Sequence, residues 1–228
     1  MRAGMICFGQ ARSGIWLLQR ILAVLVTRGF KGKPRGGAGD RARLPPGQFL
    51  TPEFPVLTAG PTQHVSVDRW TLSLQHGGTL LGKWTWAQFE ALPQTEIVTD
   101  IHCVTKWSKF DTRWRGVTID DLLRAAGLDV APTDFMMAHC DGGYTTNLAL
   151  ADLIEGRAMV ATHFEDLPLL PSHGGPARLL VPHLYLWKSA KWVRRLAFRE
   201  EDKPGFWESL GYHIRGDPWK EQRYEGDR

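Results

Sequence analysis

The chain has 228 residues, 43% of them hydrophobic and ten of them tryptophan, a globular composition that excludes disorder over most of its length. Its net charge of +4 is unevenly placed: residues 1–43 sum to +8 and the rest to −4. The main part of the chain is therefore slightly acidic, and the overall basic charge does not indicate nucleic-acid binding.

Residues 1–43 form a basic arm. Its apolar run, residues 15–26, contains a glutamine and an arginine and is too short to cross a bilayer, so we expect no transmembrane segment. This run is either an amphipathic surface helix or a piece upstream of the true start of the protein. Residues 31–43 are rich in glycine and arginine and hold almost no large apolar side chain, which predicts a partly disordered segment.

The cysteine count bears on both metal binding and cell compartment. Cys7, Cys103 and Cys140 are too few, and odd in number, for a disulfide framework. Such a count fits a reducing compartment, so we expect a cytoplasmic protein. No Cys-x-x-Cys pair and no histidine pair at ligand spacing lies beside Cys103, which argues against a zinc site.

Beyond residue 43 the pattern is that of alternating strands and short helices. Apolar and polar residues alternate over 70–75, which predicts a half-buried strand. Thr85-Trp-Ala-Gln88 has the capping-box sequence and predicts a short helix that stops before Pro93. Residues 96–105 are rich in β-branched side chains, which predicts a strand with Cys103 near its end.

A second helix is predicted at residues 119–126, where Thr118 takes the N-cap position and Gly127 closes the last turn. Further strands are predicted at residues 135–140, 158–164, 178–181 and 192–198. Strands and helices interleave irregularly, and no glycine-rich dinucleotide motif is present. We therefore expect an α+β fold of mixed β-sheets with short helices, in one domain over residues 44–228.

Cys103 is the first candidate for chemistry. It lies in Asp100-Ile-His-Cys-Val-Thr-Lys-Trp-Ser108, where His102 and Lys106 supply positive character that should lower the pKa of the thiol. A thiolate can ligate a soft metal or attack an electrophile. The alternative is a small hydrophobic residue packed on a strand, since free cysteine is often buried for that reason alone.

A second dense stretch carries anion-binding residue types. His173-Gly-Gly-Pro-Ala-Arg178 and Lys188-Ser-Ala-Lys191 combine a planar guanidinium, turn amides, a hydroxyl and an ammonium, a set suited to phosphate. Taken in order with Cys103, these segments resemble the molybdopterin-binding domain of the sulfite oxidase superfamily, over about residues 54–224. The resemblance implies a sulfite-oxidase-like molybdopterin-binding fold and a molybdenum-molybdopterin cofactor.

The resemblance also implies roles for particular residues. Cys103 would be the protein's ligand to molybdenum. The residues expected to contact the cofactor are His102, Cys140, His173, Arg178, Ser189 and Lys191. In Cys140-Asp-Gly-Gly-Tyr144 the family has a loop over the metal, so Asp141 and Tyr144, together with Cys103, are the catalytic candidates; an ordinary strand-to-helix turn is the alternative.

Departures from the family pattern bear on the substrate. Sulfite-oxidising members carry arginines just after the ligand cysteine, whereas this chain has Lys106 and Trp107 there. Its Cys-Val-x-x-Trp-Ser pattern is more similar to the bacterial sulfoxide-reducing branch. We therefore expect a small-molecule substrate, an S- or N-oxide that is reduced, in preference to sulfite oxidation. With no haem or dimerisation domain expected, electrons would come from a separate protein and the chain would be a monomer.

Two other functions are compatible with the sequence. Cys103 could be the nucleophile of a Cys/His hydrolase with His173 or His139 as the base. The chain could also be a pterin-binding module without turnover. Metal content distinguishes the first alternative from the molybdenum enzyme, and a redox-dye assay distinguishes the second.

Overall fold

Two β-sheets organise residues 39–228, the part of the chain that the structure, a computed structural model, describes. The predictions for residues 15–26 and for most of the basic arm lie outside the described residues. The strands are β1 (Phe49–Leu50), β2 (Thr71–His76), β3 (Thr79–Thr85), β4 (Thr95–His102), β5 (Trp107–Thr118), β6 (Phe135–Cys140), β7 (Thr145–Ala149), β8 (Met159–Phe164), β9 (Leu167–Pro168), β10 (Arg178–Leu180) and β11 (Val193–Arg199).

The helices are short. They are α1 (Trp86–Glu90), α2 (Ile119–Ala125) and α3 (Phe206–Ser209), with 3-10 turns at Asp40–Ala42, Val67–Arg69, Asp141–Gly143, Leu150–Asp152 and Pro171–His173. In this described part of the chain, no helix has the length and apolar character needed to cross a membrane.

The first sheet is built around β5. This strand pairs in parallel with β1 and antiparallel with β4 and β8, and β8 continues the sheet to β10 and β9. Successive residues of β8 belong to different apolar clusters, Val160 to one and Met159 and Ala161 to the other. At β8 the first sheet is therefore covered on both faces, whereas β9 and the first part of β4 lie at its exposed edge.

The second sheet has the order β3-β2-β11-β6-β7, with β2 and β11 parallel and the other neighbours antiparallel. Its inner residues, such as Leu72 and Leu196, meet Val160 and Leu179 of the first sheet in the larger core cluster. Alternating residues of one sheet face the other sheet, so this core is a two-layer interface completed by α2.

A smaller apolar cluster covers the other face of the first sheet. It contains Cys103 and Trp114, and aromatic residues from the C-terminal part of the chain, Trp187, Tyr212 and Tyr224, also belong to it. The cysteine is therefore enclosed between the end of a strand hairpin and the final segment of the chain.

The predicted α+β class with mixed sheets and short helices is confirmed. The capping box of α1 is present, since Thr85 Oγ1 accepts from the Gln88 N–H and the Gln88 side chain accepts from the Thr85 N–H at 2.9 Å. The predicted N-cap of α2 is present too, where Thr118 Oγ1 accepts from the Asp121 N–H at 3.0 Å. Local capping chemistry set both helix starts.

Five strands, β1, β3, β5, β7 and β9, were not predicted, and one predicted strand is too long. The strand expected over residues 96–105 ends at His102, because the chain turns sharply and returns as β5. Neither β5, which has 12 residues, nor β3 was predicted. The turn into β5 contains no glycine or asparagine, the residues that usually indicate a tight hairpin.

The last residue assigned to the basic arm contacts the domain. Arg43 Nε donates to Asp100 Oδ2 at 3.0 Å, and its terminal nitrogen lies 2.6 Å from Asp111 Oδ1. Its guanidinium also lies 4.4 Å from the centroid of the Phe110 ring. The arm is thus attached to the β4–β5 hairpin at residue 43, and the division into an arm and a domain at residues 43 and 44 stays a proposal.

Candidate active site

Cys103 is the first residue of the tight turn between β4 and β5. Its N–H donates to the Trp107 carbonyl at 2.9 Å, and its own carbonyl accepts from the Lys106 N–H at 2.9 Å. Lys106 has φ 74°, the left-handed conformation that closes the turn. The buried Gln48 amide donates to the Cys103 carbonyl at 3.2 Å. The backbone that carries the thiol is therefore held on both sides.

The thiol of Cys103 is almost enclosed. Its residue is 7% exposed, and burial raises the pKa of the Cys103 thiol, while the Thr105 hydroxyl and the nearby Lys191 charge act in the opposite direction. The expectation that His102 lowers this pKa is wrong. Burial lowers the pKa of His102 to about 4, so the ring is neutral at pH 7.

The His102 ring contacts the opposite strand of the hairpin, and over residues 39–228 it makes no hydrogen bond to the thiol. Its Nδ1 lies 2.8 Å from the Ser108 hydroxyl across the hairpin. A contact of His102 with the cofactor stays a prediction.

Two cations without acidic partners form the next part of the site. Arg178 is 2% exposed and donates to the carbonyls of His173 at 3.0 Å and Ser189 at 2.6 Å. Lys191 Nζ donates to the Ser172 carbonyl at 2.7 Å. Burial lowers the pKa of Arg178 to about 10 and that of Lys191 to about 8. Among residues 39–228 no carboxylate pairs with either cation, so an arriving anion would relieve their desolvation.

The loop before Arg178 fits closely over Lys191. Gly174 has φ +103°, and a Cβ there would come within 3.0 Å of Lys191 Cα, so only glycine suits this position. The His173 ring stacks on Phe54 with 4.1 Å between centroids, and its Nδ1 is buried without a partner. Burial, followed by the charges of Arg178 and Lys191, lowers the pKa of His173 to about 4. A neutral ring with one free nitrogen therefore lies beside two cations.

A buried ion pair supports the segment that carries Ser189 and Lys191. Lys188 Nζ lies 2.6 Å from Glu208 Oε1, and both side chains are 1% exposed. The same carboxylate oxygen accepts from Trp187 Nε1 at 2.9 Å. Ser189 Oγ accepts from the Val181 N–H at 2.9 Å, which leaves its hydroxyl hydrogen for another acceptor. This network fixes residues 187–191 against the C-terminal segment.

Cys140 and Tyr144 approach the site from the second sheet. Tyr144 donates its hydroxyl to the Trp187 carbonyl at 2.6 Å, and burial raises its pKa well above the usual value. Cys140 is half-buried, and burial also raises the pKa of its thiol, which the Arg178 charge opposes. Both side chains are therefore neutral groups near Arg178.

Asp141 lies in a separate surface groove of about 340 Å³ that Gln63, His64 and Arg194 also line. Its carboxylate is 3.5 Å from the Arg194 guanidinium. No hydrogen bond or ion pair joins it to Cys103 in the described part of the chain, so its catalytic role stays a prediction. The Gln63 side chain packs against this loop, since a Cβ on Gly142 would lie 3.0 Å from Gln63 Nε2.

The hydrolase hypothesis requires a histidine hydrogen-bonded to Cys103. His139 lies on β6 opposite Arg195, and burial with two arginine charges lowers its pKa to about 4. Over residues 39–228 neither His139 nor His173 hydrogen-bonds to the thiol, whose side-chain partner is Thr105. The nucleophile and base of a hydrolase are therefore not assembled here.

The sequence profile of the oxidoreductase molybdopterin binding domain matches residues 59–207, well over half of the chain. The chain belongs to this family. The uncharacterized oxidoreductase YuiH of Bacillus subtilis (strain 168) is 40% identical over 203 residues, 87% of this chain and 100% of that protein. The putative protein-methionine-sulfoxide reductase subunit YedZ1 of Azospira oryzae is 27% identical over 175 residues, 75% of this chain and 66% of that protein.

A solved structure shows the same fold. The sulfane dehydrogenase SoxCD from Paracoccus pantotrophus superposes with a TM-score of 0.53 at 17% identity, over 85% of this chain and 56% of that one. The mitochondrial sulfite oxidase of Drosophila melanogaster is 25% identical over 193 residues, 72% of this chain and 34% of that protein. With the family match, this confirms the resemblance to the sulfite oxidase superfamily. As a molybdopterin-binding oxidoreductase domain, the chain is an enzyme that uses a molybdenum-molybdopterin cofactor.

The residues present fit that cofactor. A phosphate-bearing pterin would place negative charge beside Arg178 and Lys191, whose described partners are neutral carbonyls. The unpartnered His173 Nδ1 and the spare Ser189 hydrogen are further polar groups at the same place. Cys103 supplies one soft donor, which suits a metal that arrives with its remaining ligands.

Three residues of this candidate site had no predicted role. Gln48 holds the Cys103 carbonyl, Glu208 anchors the segment before Ser189, and Thr105 donates to the Cys103 sulfur. Thr105 was visible two residues after the cysteine, but its hydroxyl direction depends on the turn. Gln48 and Glu208 are distant in sequence, and only the folded chain brings them to the site.

Proposed function

We propose that this enzyme transfers an oxygen atom in a two-electron reaction and that it reduces a small S- or N-oxide in preference to oxidising sulfite. The observation that carries the proposal is the single enclosed thiol of Cys103 beside the unpaired cations Arg178 and Lys191. One soft ligand next to an anion site is what a metal delivered by an anionic cofactor requires.

The chain's own residues position the cofactor and the substrate. When bound, the cofactor supplies the two-electron redox chemistry at molybdenum. Cys103 would be the protein ligand, and His173, Arg178, Ser189 and Lys191 would hold the pterin phosphate. Tyr144 would act on the substrate through its hydroxyl oxygen, which keeps acceptor capacity while the hydroxyl donates to the Trp187 carbonyl.

The charge near Cys103 argues for a substrate of low charge. Lys191 is the cation that acts on the thiol, and we assign it to the cofactor. The residues that follow the turn are Lys106, which closes it, and Trp107, which is 4% exposed. A doubly charged anion would lose its hydration with little compensation, whereas a neutral oxide would lose less. The similarity to YedZ1, a putative protein-methionine-sulfoxide reductase subunit, supports this choice.

A substrate panel tests the proposed direction. With reduced viologen as electron donor, we expect turnover of at least one sulfoxide or N-oxide. Its kcat/KM should exceed that for sulfite by at least about tenfold, the factor that corresponds to one charge-assisted contact. Sulfite oxidation is measured in parallel with ferricyanide, and the Cys103→Ala variant gives the background. Efficient sulfite oxidation would overturn the assignment, and silence in both assays would favour a pterin-binding module without turnover.

Lys191→Met tests the cofactor-binding assignment. It removes a half-buried cation that has no acidic partner in residues 39–228, so pterin retention should fall by about tenfold or more, corresponding to a charge-assisted contact of roughly 1.5–3 kcal/mol. Fluorescence of released, oxidised pterin per mole of protein is the measurement. Lys109→Met is the control, because Lys109 also donates to a carbonyl, that of Pro52 at 2.7 Å, on another part of the hairpin.

The control should keep its pterin, and equal retention in both variants would remove Lys191 from the site. Arg178→Ala is expected to lose pterin too, but it also breaks the bonds from Arg178 to the carbonyls of His173 and Ser189. Lys191 is therefore the sharper test of phosphate binding.

Further proposals concern the electron donor, the oligomeric state, the location and the domain limit of the protein. We propose that a separate protein supplies the electrons, that the chain works as a monomer in the cytoplasm, and that residues 44–228 are sufficient for cofactor binding. The odd cysteine count supports a reducing compartment. Every residue assigned to the cofactor lies beyond residue 43, which supports the domain limit.

A further inference from the structure

The sulfur of Cys103 receives hydrogen bonds from its own turn. Thr105 Oγ1 lies 3.2 Å from Cys103 Sγ and donates to it. The backbone N–H groups of Val104 and Thr105 act on the same sulfur. The turn that directs them is closed by the bond from the Lys106 N–H to the Cys103 carbonyl and fixed by the Gln48 amide. The Thr105 hydroxyl is therefore held on the sulfur by the turn geometry.

A donor at a ligating sulfur changes the metal it binds. The hydrogen bond draws electron density from the sulfur, so less negative charge reaches the metal, and a reduced metal is stabilised relative to an oxidised one. It also limits the directions in which the sulfur can point. A threonine is well suited to this task, since its branched Cβ restricts the side chain to few rotamers.

We propose that Thr105 is a positioning residue whose hydroxyl orients the Cys103 sulfur toward molybdenum and raises the reduction potential of the metal. This inference rests on the proposed function in one respect, the role of Cys103 as the metal ligand. Thr105 would then affect the reduction potential of the bound metal in addition to its place in the turn.

The test compares Thr105→Val with Thr105→Ser in the loaded enzyme. Valine keeps the branched shape and loses the hydroxyl, so the midpoint potential of the one-electron step that produces Mo(V), followed by electron paramagnetic resonance, should fall. We expect a change of up to tenfold in the ratio of reduced to oxidised metal, which is about 59 mV for one electron. Thr105→Ser keeps a donor and should restore the potential and the Mo(V) spectrum.

A control variant separates this effect from the loss of any hydroxyl. Thr133 Oγ1 donates to the Phe135 carbonyl at 3.0 Å before β6, away from Cys103, so Thr133→Val should leave the potential unchanged. Molybdenum per chain is measured for each variant. If Thr105→Val keeps full molybdenum with an unaltered potential and spectrum, the inference is wrong while the proposed function stands. Wild-type protein without molybdenum would overturn both.

Discussion

Cys103→Ser is expected to abolish molybdenum binding. The wild-type enzyme, made in a host that builds the cofactor, should carry about one molybdenum per chain, because a single protein thiolate completes the metal's coordination. Serine is nearly the same size, but its hydroxyl is a hard donor that rarely replaces a thiolate on a soft site. Molybdenum content, measured by mass spectrometry, should fall to background, and Cys103→Ala should behave in the same way.

Cys140→Ser is the matched control. This cysteine is half-buried on β6 and lies near Arg178, so its substitution has a similar steric effect without removing the proposed metal ligand. Because Cys140 is a proposed cofactor contact and not the proposed metal ligand, we expect the Cys140 variant to keep molybdenum well above the background left by Cys103→Ser. Undiminished molybdenum in both Cys103 variants would remove Cys103 from its role, and zinc in place of molybdenum in the wild-type enzyme would contradict the proposed function.

The second large effect is expected at the Lys188–Glu208 pair. Lys188→Met leaves the Glu208 carboxylate buried with no cation, and removing one partner of a buried pair lowers the free energy of unfolding by about 3–5 kcal/mol. Glu208→Gln should have an effect of the same sign, and the double variant should recover part of the loss. Denaturant unfolding of the cofactor-free protein measures all three free energies.

A surface pair provides the control for this experiment. Lys203 lies 3.5 Å from Glu201, and the two side chains are 65% and 77% exposed, so Lys203→Met should change the free energy of unfolding by less than about 1 kcal/mol. A loss at Lys188 no larger than the loss at Lys203 would show that the buried pair is not a main support of residues 187–191.

The parts of the fold that were predictable depend on local chemistry. Thr85 and Thr118 identified the helix starts because an N-cap hydrogen bond joins residues only three apart. Strand β5 was missed although charged residues alternate at positions 109, 111, 113 and 115. Its turn begins with Cys103 and closes with Lys106 in a left-handed conformation, which no residue type there indicates.

The sequence identified the segments that form the candidate site, but it did not show how their side chains are arranged. The resemblance selected Cys103 and the stretch 173–191, and the structure places the Lys191 charge near the thiol. The direction of His102 and its neutral state could not be read from the sequence, because both follow from burial and from the face of β4 on which it lies. The role of Glu208 could not be predicted either, since its partners Thr146, Trp187 and Lys188 come from two separate segments of the chain.

The enclosure of Cys103 has a consequence for the protein before it receives its cofactor. Oxidants such as peroxides attack the thiolate and need access to the sulfur. Cys103 is 7% exposed and burial raises the pKa of its thiol, so the residue offers an oxidant little access and little thiolate. Newly made chains can therefore wait for the cofactor without losing the proposed metal ligand to sulfenic acid or to mixed disulfides.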